Sequence, residues 1–350
     1  EGAGGQATKR PGGAAFLPCF GSQMQRLLRC GSALAAVGVP RARRQAPNVF
    51  MQSEGGYSTS KKIKTPGQGA DVYKAKQSLG QNFLVDQNVA KRICSSLEDT
   101  SENGRAVVEV GPGKGALTAI LLNQYPQMKA IELDQRSIEY LNDVMPSLDV
   151  RLKSVLDVDW SEVYTEAGEE QLSVIGNLPY YITSQILFSL VDASPYVRRA
   201  IVTMQLEVAQ RVAAKPGSKT YGILSVVCQL YGTPRLLFKI PPTVFQPQPD
   251  VDSALICVDF PKEKPHFDVN MCHLRTVLRA SFQQRRKMMR QSLKAILLEK
   301  DIKLPDELGT RRPESLAPQE FIELTKLIYG EGVTPEGIQV WRGALDGAGR

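Results

Sequence analysis

The sequence predicts an α/β protein with a mainly parallel sheet covered by helices, followed by a small all-helical C-terminal domain. Three observations support this fold class. Short apolar runs typical of buried strands alternate with helical stretches between residues 76 and 261. A glycine-rich loop, GPGKG, comes directly after the first of these runs. After Pro265 the strand signal stops and only helical patterns remain.

The α/β elements follow in chain order. Asp86 has the position of a helix N-cap, because the apolar residues Val89, Ile93 and Leu97 recur every four residues after it. Five runs are predicted as parallel strands: AVVEV (106–110), MKAIE (128–132), VRLKS (150–154), LSVIG (172–176) and AIVTM (200–204). Two further runs leave no room for a helix between them, so they are predicted to form an antiparallel hairpin at the sheet edge: RLLFKI (235–240) and ALICVDF (254–260).

The C-terminal domain is predicted from three helical stretches, near 271–282, 286–299 and 317–328. The expected organisation has four parts: a tail over 1–75, the α/β domain over 76–261, the helical domain over 262–330, and a tail without clear structure over 331–350.

Composition excludes several functional classes. No apolar run approaches the roughly 18 residues that cross a membrane, so no membrane association is predicted. The six cysteines are scattered without a CxxC pair, which argues against a zinc site or a disulfide scaffold. The only histidines are His266 and His273, so neither a histidine-based metal site nor a Ser-His-Asp triad is predicted, and no metal is expected.

Charge is unevenly distributed along the chain. Residues 1–70 carry 10 Lys and Arg against 2 acidic residues, residues 71–261 carry 17 against 22, and residues 262–330 carry 14 against 9. An arginine-rich, acid-poor N-terminus is typical of an organelle presequence, and the alternative is a basic arm that binds RNA. We favour a transit peptide and an organelle matrix, with the mitochondrion slightly ahead of the chloroplast stroma. Without a presequence the expected location is cytoplasmic.

Residues suited to an adenosine-containing cofactor follow successive strands. Gly111 and Gly113 let the backbone approach a ligand closely. Glu132 ends the second strand, where a carboxylate can accept both hydroxyls of a ribose, and Asp157 after the third strand is predicted to accept from an adenine amino group. NAD and S-adenosylmethionine both fit this pattern. Because residues 71–261 contain no histidine, which NAD chemistry often uses, S-adenosylmethionine is the predicted cofactor.

The motif Asn177-Leu178-Pro179-Tyr180 ends the fourth strand and is expected to face the same site. The exocyclic amine of adenine is a poor nucleophile, because its lone pair is delocalised into the ring. The Asn177 amide oxygen and a backbone carbonyl held out by Pro179 can accept both amine hydrogens and point the lone pair at a methyl donor. Tyr180 offers a flat face for a flipped base. The glycine and acidic matches that precede this motif disfavour the other interpretation, an ordinary Asn-Pro turn.

From about Gln77 to Tyr329 the sequence closely resembles the KsgA-type small-subunit rRNA adenine dimethyltransferases. The resemblance rests on six motifs: SLGQNFLVD (78–86), VVEVGPGKGALT (107–118), IELD (131–134), IGNLPYYIT (175–183), FQPQPDVDSALI (245–256) and FQQRRKMMRQSL (282–293). It implies a Rossmann-like class I methyltransferase fold. In that family GQNFL closes over the cofactor, which implies cofactor contacts for Asn82 and Leu84. It also supports the cofactor roles of Gly111, Glu132 and Asp157, and it implies that Phe245 is a second aromatic residue near the target base.

The resemblance further implies dimethylation of N6 on two adjacent adenosines near the 3′ end of small-subunit rRNA. The expected partner is that rRNA or the pre-small ribosomal subunit, and the enzyme itself is expected to be a monomer. The helical domain would help to dock rRNA. Its cations that are predicted to contact phosphates are Arg285, Arg286, Lys287, Arg290 and Lys294.

Two alternatives stay open on the sequence alone. One is another adenine-N6 methylase that acts on large-subunit rRNA or on DNA, because the Asn-Leu-Pro-Tyr chemistry is common to these enzymes. The other is a non-catalytic ribosome-assembly or mitochondrial transcription factor that keeps the fold.

Overall fold

The computed structural model of the protein describes residues 74–335 and 338–341. Most of the two predicted tails therefore lies outside the described residues. The strands are β1 (Phe83–Leu84), β2 (Val107–Val110), β3 (Lys129–Glu132), β4 (Asp149–Leu152), β5 (Leu172–Asn177), β6 (Val197–Gln205), β7 (Thr233–Ile240), β8 (Phe245–Gln246) and β9 (Ser253–Asp259).

Helices connect the strands and make up the C-terminal region. Those between the strands are α1 (Gln87–Cys94), α2 (Thr118–Gln124), α3 (Gln135–Val144), α4 (Trp160–Glu166), α5 (Thr183–Asp192), α6 (Leu206–Val212) and α7 (Ile223–Tyr231). Those that follow the last strand are α8 (Met271–Gln283), α9 (Met289–Ser292), α10 (Lys294–Glu299), α11 (Asp306–Gly309) and α12 (Pro318–Tyr329).

Seven strands form one sheet in the order β4-β3-β2-β5-β6-β9-β7. The pairs among β4, β3, β2, β5 and β6 are parallel, and β9 is antiparallel to both of its neighbours. The predicted α/β fold and the predicted antiparallel pairing of the last two long runs are confirmed. Because the five parallel strands run the same way, their carboxyl ends meet at one edge of the sheet, which is where such sheets bind ligands.

Alternation along the central strands explains why helices cover both faces of the sheet. In β2, Val107 packs into the hydrophobic cluster on one face and Val108 into the cluster on the other. Val174 and Ile175 of β5 divide in the same way. Successive side chains of a strand point to opposite faces, so an uninterrupted apolar run requires cover on both sides.

The C-terminal helices are present, but the predicted helix over 286–299 is divided. α8 ends at Gln283, and the backbone is extended at Met288, which precedes α9. A second break at Leu293 separates α9 from α10. These helices share one continuous hydrophobic cluster with the sheet region, since Leu278 of α8 and Phe321 of α12 belong to the same cluster as Val226 of α7.

A contact that the sequence analysis missed lies at the end of the described chain. Trp341 is completely buried, with its ring stacked on Phe188 of α5 at 6.2 Å between centroids and set edge-on to Tyr231 of α7 at 6.4 Å. Its backbone N–H donates to the Asp192 carboxylate at 3.1 Å. The Val340 carbonyl, next to it, accepts from the Arg275 guanidinium of α8 at 2.7 Å. Residues 340–341 therefore connect the helical region to the helices that cover the sheet.

Candidate active site

An open cavity of about 1030 Å³ lies at the carboxyl ends of β2, β3 and β5. The structure brings together most of the residues that were predicted for the site. Those that line the cavity are Asn82, Leu84, Gly111, Gly113, Glu132, Asn177, Leu178, Pro179 and Tyr180.

The glycine loop adopts a backbone that suits glycine. Gly111 and Gly113 both have positive φ, at 69° and 55°. A Cβ on Gly113 would stand 3.0 Å from the ring of Phe83, so this position is restricted by contact as well as by conformation. The Gly113 N–H donates to Glu132 Oε2 at 3.0 Å, which ties the loop to the end of the neighbouring strand.

The Glu132 carboxylate is held by three backbone N–H groups. Oε2 accepts from Gly113, and Oε1 accepts from Leu133 at 2.8 Å and from Asp134 at 2.9 Å. Burial nevertheless raises its pKa, because the three hydrogen bonds do not fully compensate for the loss of water. Oε2 keeps a lone pair for another donor, so Glu132 braces the glycine loop and can still accept a further hydrogen bond.

Glu109, two residues before Gly111, also lines the cavity, although no role was predicted for it. It is 1% exposed, and its Oε2 has no hydrogen-bond partner among the described residues. Burial raises its pKa to about 8, the Glu132 carboxylate adds to the rise, and the nearby Thr118 hydroxyl reduces it. The signal that could have identified it is a carboxylate inside an otherwise apolar strand, since acidic residues are rarely buried without a partner.

The orientation of the Asn177 amide is set by Asn82, which belongs to the cavity-lining segment 79–84. Its Nδ2 donates to the Asn82 carbonyl at 2.9 Å. A carbonyl oxygen can only accept, so the amide nitrogen faces Asn82 and Oδ1 is directed away from it. No described residue donates to Oδ1.

The backbone carbonyl next to Asn177 is also without a donor among the described residues. The Leu178 N–H donates to the Thr203 carbonyl at 3.1 Å, while the Leu178 carbonyl accepts no hydrogen bond from a described residue. The Pro179 carbonyl, in contrast, accepts from the Thr183 hydroxyl at 2.9 Å and caps the start of α5. The acceptor that the proline holds out is therefore the carbonyl of Leu178.

The two tyrosines of the motif have different surroundings. Tyr180 is half-buried, and its hydroxyl forms a 2.6 Å hydrogen bond with the Ser253 hydroxyl, which fixes the ring. Tyr181 lines the same cavity but is 59% exposed, and its ring edge packs against Gly80. Tyr180 thus presents a ring whose polar end is already satisfied.

Residues 79–84, which we call the lid, line the cavity and are held at both ends. Gln81 Nε2 donates to the Asp134 carboxylate at 2.8 Å, directly beyond Glu132. The Arg136 guanidinium bonded to Asp134 lowers the pKa of that carboxyl to about 2. At the other end, β1 pairs antiparallel with β8, so Leu84 lies opposite Phe245. Two motifs that are 160 residues apart in the chain therefore meet in a two-stranded sheet.

The structure does not bring two of the predicted residues into the cavity. Asp157 is exposed, because a short 3₁₀ turn over Val155–Asp157 carries it away from the end of β4. The residues that line the cavity after that strand are Lys153, Ser154 and Val155. Phe245 is 4% exposed and packs in the hydrophobic core. The aromatic residue of this strand pair that does reach the cavity is Phe83.

The cations predicted to contact RNA lie outside the cavity and divide into two kinds. Arg285 is half-buried and pairs with the Glu314 carboxylate at 3.0 Å, so its charge is already compensated. The others are exposed and make no ion pair with any described residue: Arg286, Lys287, Arg290 and Lys294. Within 74–335 and 338–341, no group of three or more His, Cys, Asp and Glu side chains is placed to hold a metal ion, and no helix is long and apolar enough to span a bilayer.

The parallel sheet and its glycine loop are those of a Rossmann-like, S-adenosylmethionine-dependent methyltransferase. The family of ribosomal RNA adenine dimethylases matches residues 72–327, and the chain belongs to that family.

Two sequence relatives bear the same name, ribosomal RNA small subunit methyltransferase A. The chain is 44% identical over 254 residues to the protein from Salinibacter ruber, which covers 73% of this chain and 85% of the relative. It is 41% identical over 288 residues to the protein from Bacillus thuringiensis, with 77% and 98% covered.

Solved structures agree on the fold. A dimethyladenosine transferase from Plasmodium falciparum has a TM-score of 0.56 at 20% identity and covers 69% of this chain and 95% of its own. The 23S rRNA methyltransferase ErmE has a TM-score of 0.50 at 23% identity and covers 71% and 99%.

Proposed function

We propose that this protein transfers methyl groups from S-adenosylmethionine to N6 of two adjacent adenosines near the 3′ end of small-subunit rRNA, two to each, during ribosome biogenesis. The observation that carries the proposal is the pair of acceptors at the end of β5. Asn177 Oδ1 and the Leu178 carbonyl both lack a donor among the described residues, and both residues line the cavity. Membership of the family and the names of the two relatives support rRNA as the substrate.

An adenine amine placed at these acceptors donates one hydrogen to each. This arrangement favours a pyramidal nitrogen and draws its lone pair out of the ring. When bound, S-adenosylmethionine supplies the electrophilic methyl group. Neither acceptor is a strong base, so the acceleration comes from alignment and from dipoles that the chain holds in place. The Asn82 carbonyl fixes one acceptor, and the extended backbone required before Pro179 fixes the other.

Tyr180 is the proposed platform for the target base. A base inside a helix must be flipped out to reach an active site, and the flipped base is usually stacked on an aromatic ring. Because the Tyr180 hydroxyl is bonded to Ser253, the face of its ring is what remains for the base. This bond also holds the hydroxyl end of the ring in position.

The cavity suits the functional groups of the cofactor. Glu132 Oε2 is placed to accept from a ribose hydroxyl. The unpaired carboxyl oxygen of Glu109 is suited to the ammonium group of the methionine arm, which would provide the missing partner. The adenine ring would then lie beside residues 153–155, which line the cavity where Asp157 does not.

Primer extension on small-subunit rRNA tests the function, because dimethylated adenosine stops reverse transcription. Cells that lack the protein are expected to lose two adjacent stops near the 3′ end, and the wild-type gene is expected to restore them. Stops that persist without the protein, or that vanish from large-subunit rRNA instead, would contradict the proposal. Complementation with Asn177→Ala separates catalysis from assembly, since a purely structural factor would be rescued fully by this variant.

We further propose that the protein acts as a monomer in an organelle matrix, with the mitochondrion favoured over the chloroplast stroma. The arginine-rich, acid-poor composition of residues 1–70 supports the location. Deleting these residues is expected to leave methylation in vitro unchanged and to leave a tagged protein in the cytosol. Loss of rRNA affinity with normal organelle import would instead identify the segment as an RNA-binding arm.

A further inference from the structure

Two partly exposed segments that are far apart in the sequence are joined by hydrogen bonds. One is the loop 213–222 between α6 and α7, and the other is the turn 284–288 between α8 and α9. Arg285 of the turn donates to the Lys219 carbonyl of the loop at 2.7 Å. Both segments also bond to Glu314, since its carbonyl accepts from the Gly217 N–H at 2.6 Å and its carboxylate pairs with Arg285 at 3.0 Å.

The joined segments are rich in unpaired positive charge. The loop contains Lys215 and Lys219, both exposed, and no acidic residue. From the turn to the end of α9 the chain is equally free of acids. The nearby acid, Glu314, is neutralised by Arg285. We call the basic surface the five exposed cations that form no ion pair with a described residue: Lys215, Lys219, Arg286, Lys287 and Arg290.

The chain path places the loop close to the catalytic edge of the sheet. Thr203 of β6 lies opposite Asn177 in the parallel pairing, and β6 ends two residues later at that edge. α6 begins directly afterwards and has seven residues, so it is about 10 Å long. The loop therefore starts within about that distance of the edge that carries the catalytic amide.

We propose that Lys215 and Lys219 bind phosphates of the same rRNA that Arg286, Lys287 and Arg290 bind, so that one docking surface spans the sheet region and the helical region. This inference rests on the proposed function and adds residues to it. Exposed cations that lack an acid partner are suited to neutralise phosphates, and phosphate contacts set the register of a nucleic acid on a protein. Arg285 is a positioning residue, because its charge is used to hold the two segments together.

The test is RNA binding by the full chain across a salt series, with a fluorescent hairpin from the 3′ end of small-subunit rRNA as the probe. Each lost phosphate contact lowers the salt slope by about 0.9 for duplex DNA, and we apply the same figure to the hairpin. Lys215→Ala with Lys219→Ala should then lower the slope by about 1.8. At 0.15 M salt this corresponds to an affinity loss of roughly 30-fold.

Lys262→Ala with Lys264→Ala is a charge-matched control. Both lysines are exposed, and they follow β9, which runs antiparallel to β6 and so ends at the opposite edge of the sheet. This pair should leave the slope unchanged. All variants should keep their affinity for S-adenosylmethionine and their rate at saturating RNA, since phosphate contacts do not enter the transition state.

The outcomes separate the inference from the proposed function. If Arg286→Ala with Lys287→Ala lowers the slope but the loop variant does not, the loop is only solvated and the inference is refuted. If the loop variant and the control lower the salt slope equally, the change comes from the loss of net charge rather than from specific contacts, and the inference is also refuted. A protein that binds the hairpin through this surface but never methylates small-subunit rRNA would refute the function and leave the docking surface standing.

Discussion

Glu109 should make cofactor binding depend on pH and release a proton. Its carboxyl is buried with a pKa of about 8, so at pH 7 roughly nine-tenths of the molecules carry it protonated. A cofactor ammonium beside it would favour the charged form and lower this pKa. Binding at pH 7 should then release up to about one proton, and affinity should rise by up to about tenfold between pH 6 and pH 7.

Isothermal titration calorimetry in buffers of different ionisation enthalpy measures that proton directly. Measurements should stay at or below pH 7, because the α-amino group of the cofactor itself titrates near pH 7.7–8.0. Glu109→Gln should bind more weakly, release no proton and lose the pH dependence. Glu139→Gln, which changes an exposed carboxylate of α3, should behave as the parent does. Proton release that survives in Glu109→Gln would show that another group titrates and that Glu109 does not meet the ammonium.

The same carboxyl gives an independent signature in the cofactor-free protein. Its pKa in the fold is raised from 4.5 to about 8, so its favourable contribution is complete below pH 4.5 and is lost as pH rises through 8. Thermal unfolding of the parent should therefore move to lower temperature between pH 5 and pH 8 relative to Glu109→Gln. A constant difference between the two proteins over that range would refute the assigned burial.

Three other substitutions test separate parts of the molecule. Asn177→Ala should cut single-turnover methyl transfer about 100-fold or more while rRNA affinity stays the same; a change of only a few-fold would rule out the alignment mechanism. Glu132→Ala should weaken S-adenosylmethionine binding by roughly 1.5–3 kcal/mol in calorimetry, and unchanged affinity would remove it from the site. Trp341→Ala should lower the free energy of unfolding in urea by about 3–5 kcal/mol, whereas an effect under about 0.5 kcal/mol would mean that the ring does not pack on Phe188.

The sheet could be predicted from the sequence because each central strand is a continuous run of apolar residues, which is typical of strands buried on both faces. Val107 and Val108 point to opposite faces of the sheet and are both apolar, as expected for a strand that is covered on both faces. Site residues directly at strand ends, such as Glu132 and Asn177, could be predicted for the same reason, since strand ends share one edge. Asp157 was expected at the same edge, but a single 3₁₀ turn after β4, which no local pattern signals, leaves it exposed and outside the cavity lining.

Contacts between distant segments were beyond the reach of local patterns. Nothing near Trp341 in the sequence signals that it packs on Phe188, about 150 residues earlier. The charge run at 285–290 could be predicted to be a docking surface, but its composition does not reveal that Arg285 forms an ion pair with Glu314. In both cases the deciding partner is distant in the sequence, and only the folded chain brings it near.

The lid and the Asn177 amide are joined by a hydrogen bond, so the position of the lid affects the orientation of the amide. Asn177 is oriented by the carbonyl of Asn82, and the lid that contains Asn82 is fastened by Gln81 to Asp134, just beyond the acceptor for the ribose. A displaced lid would therefore leave the amide without its orienting partner, and either the oxygen or the nitrogen of the amide could then face a target base. Alignment of the adenine amine thus depends on the position of the lid, whose residues line the cavity proposed for the cofactor. The Asn82 carbonyl therefore links the lining of the cavity to the acceptor proposed for the base, so that a base which enters while the lid is displaced would meet an amide that is not aligned for transfer.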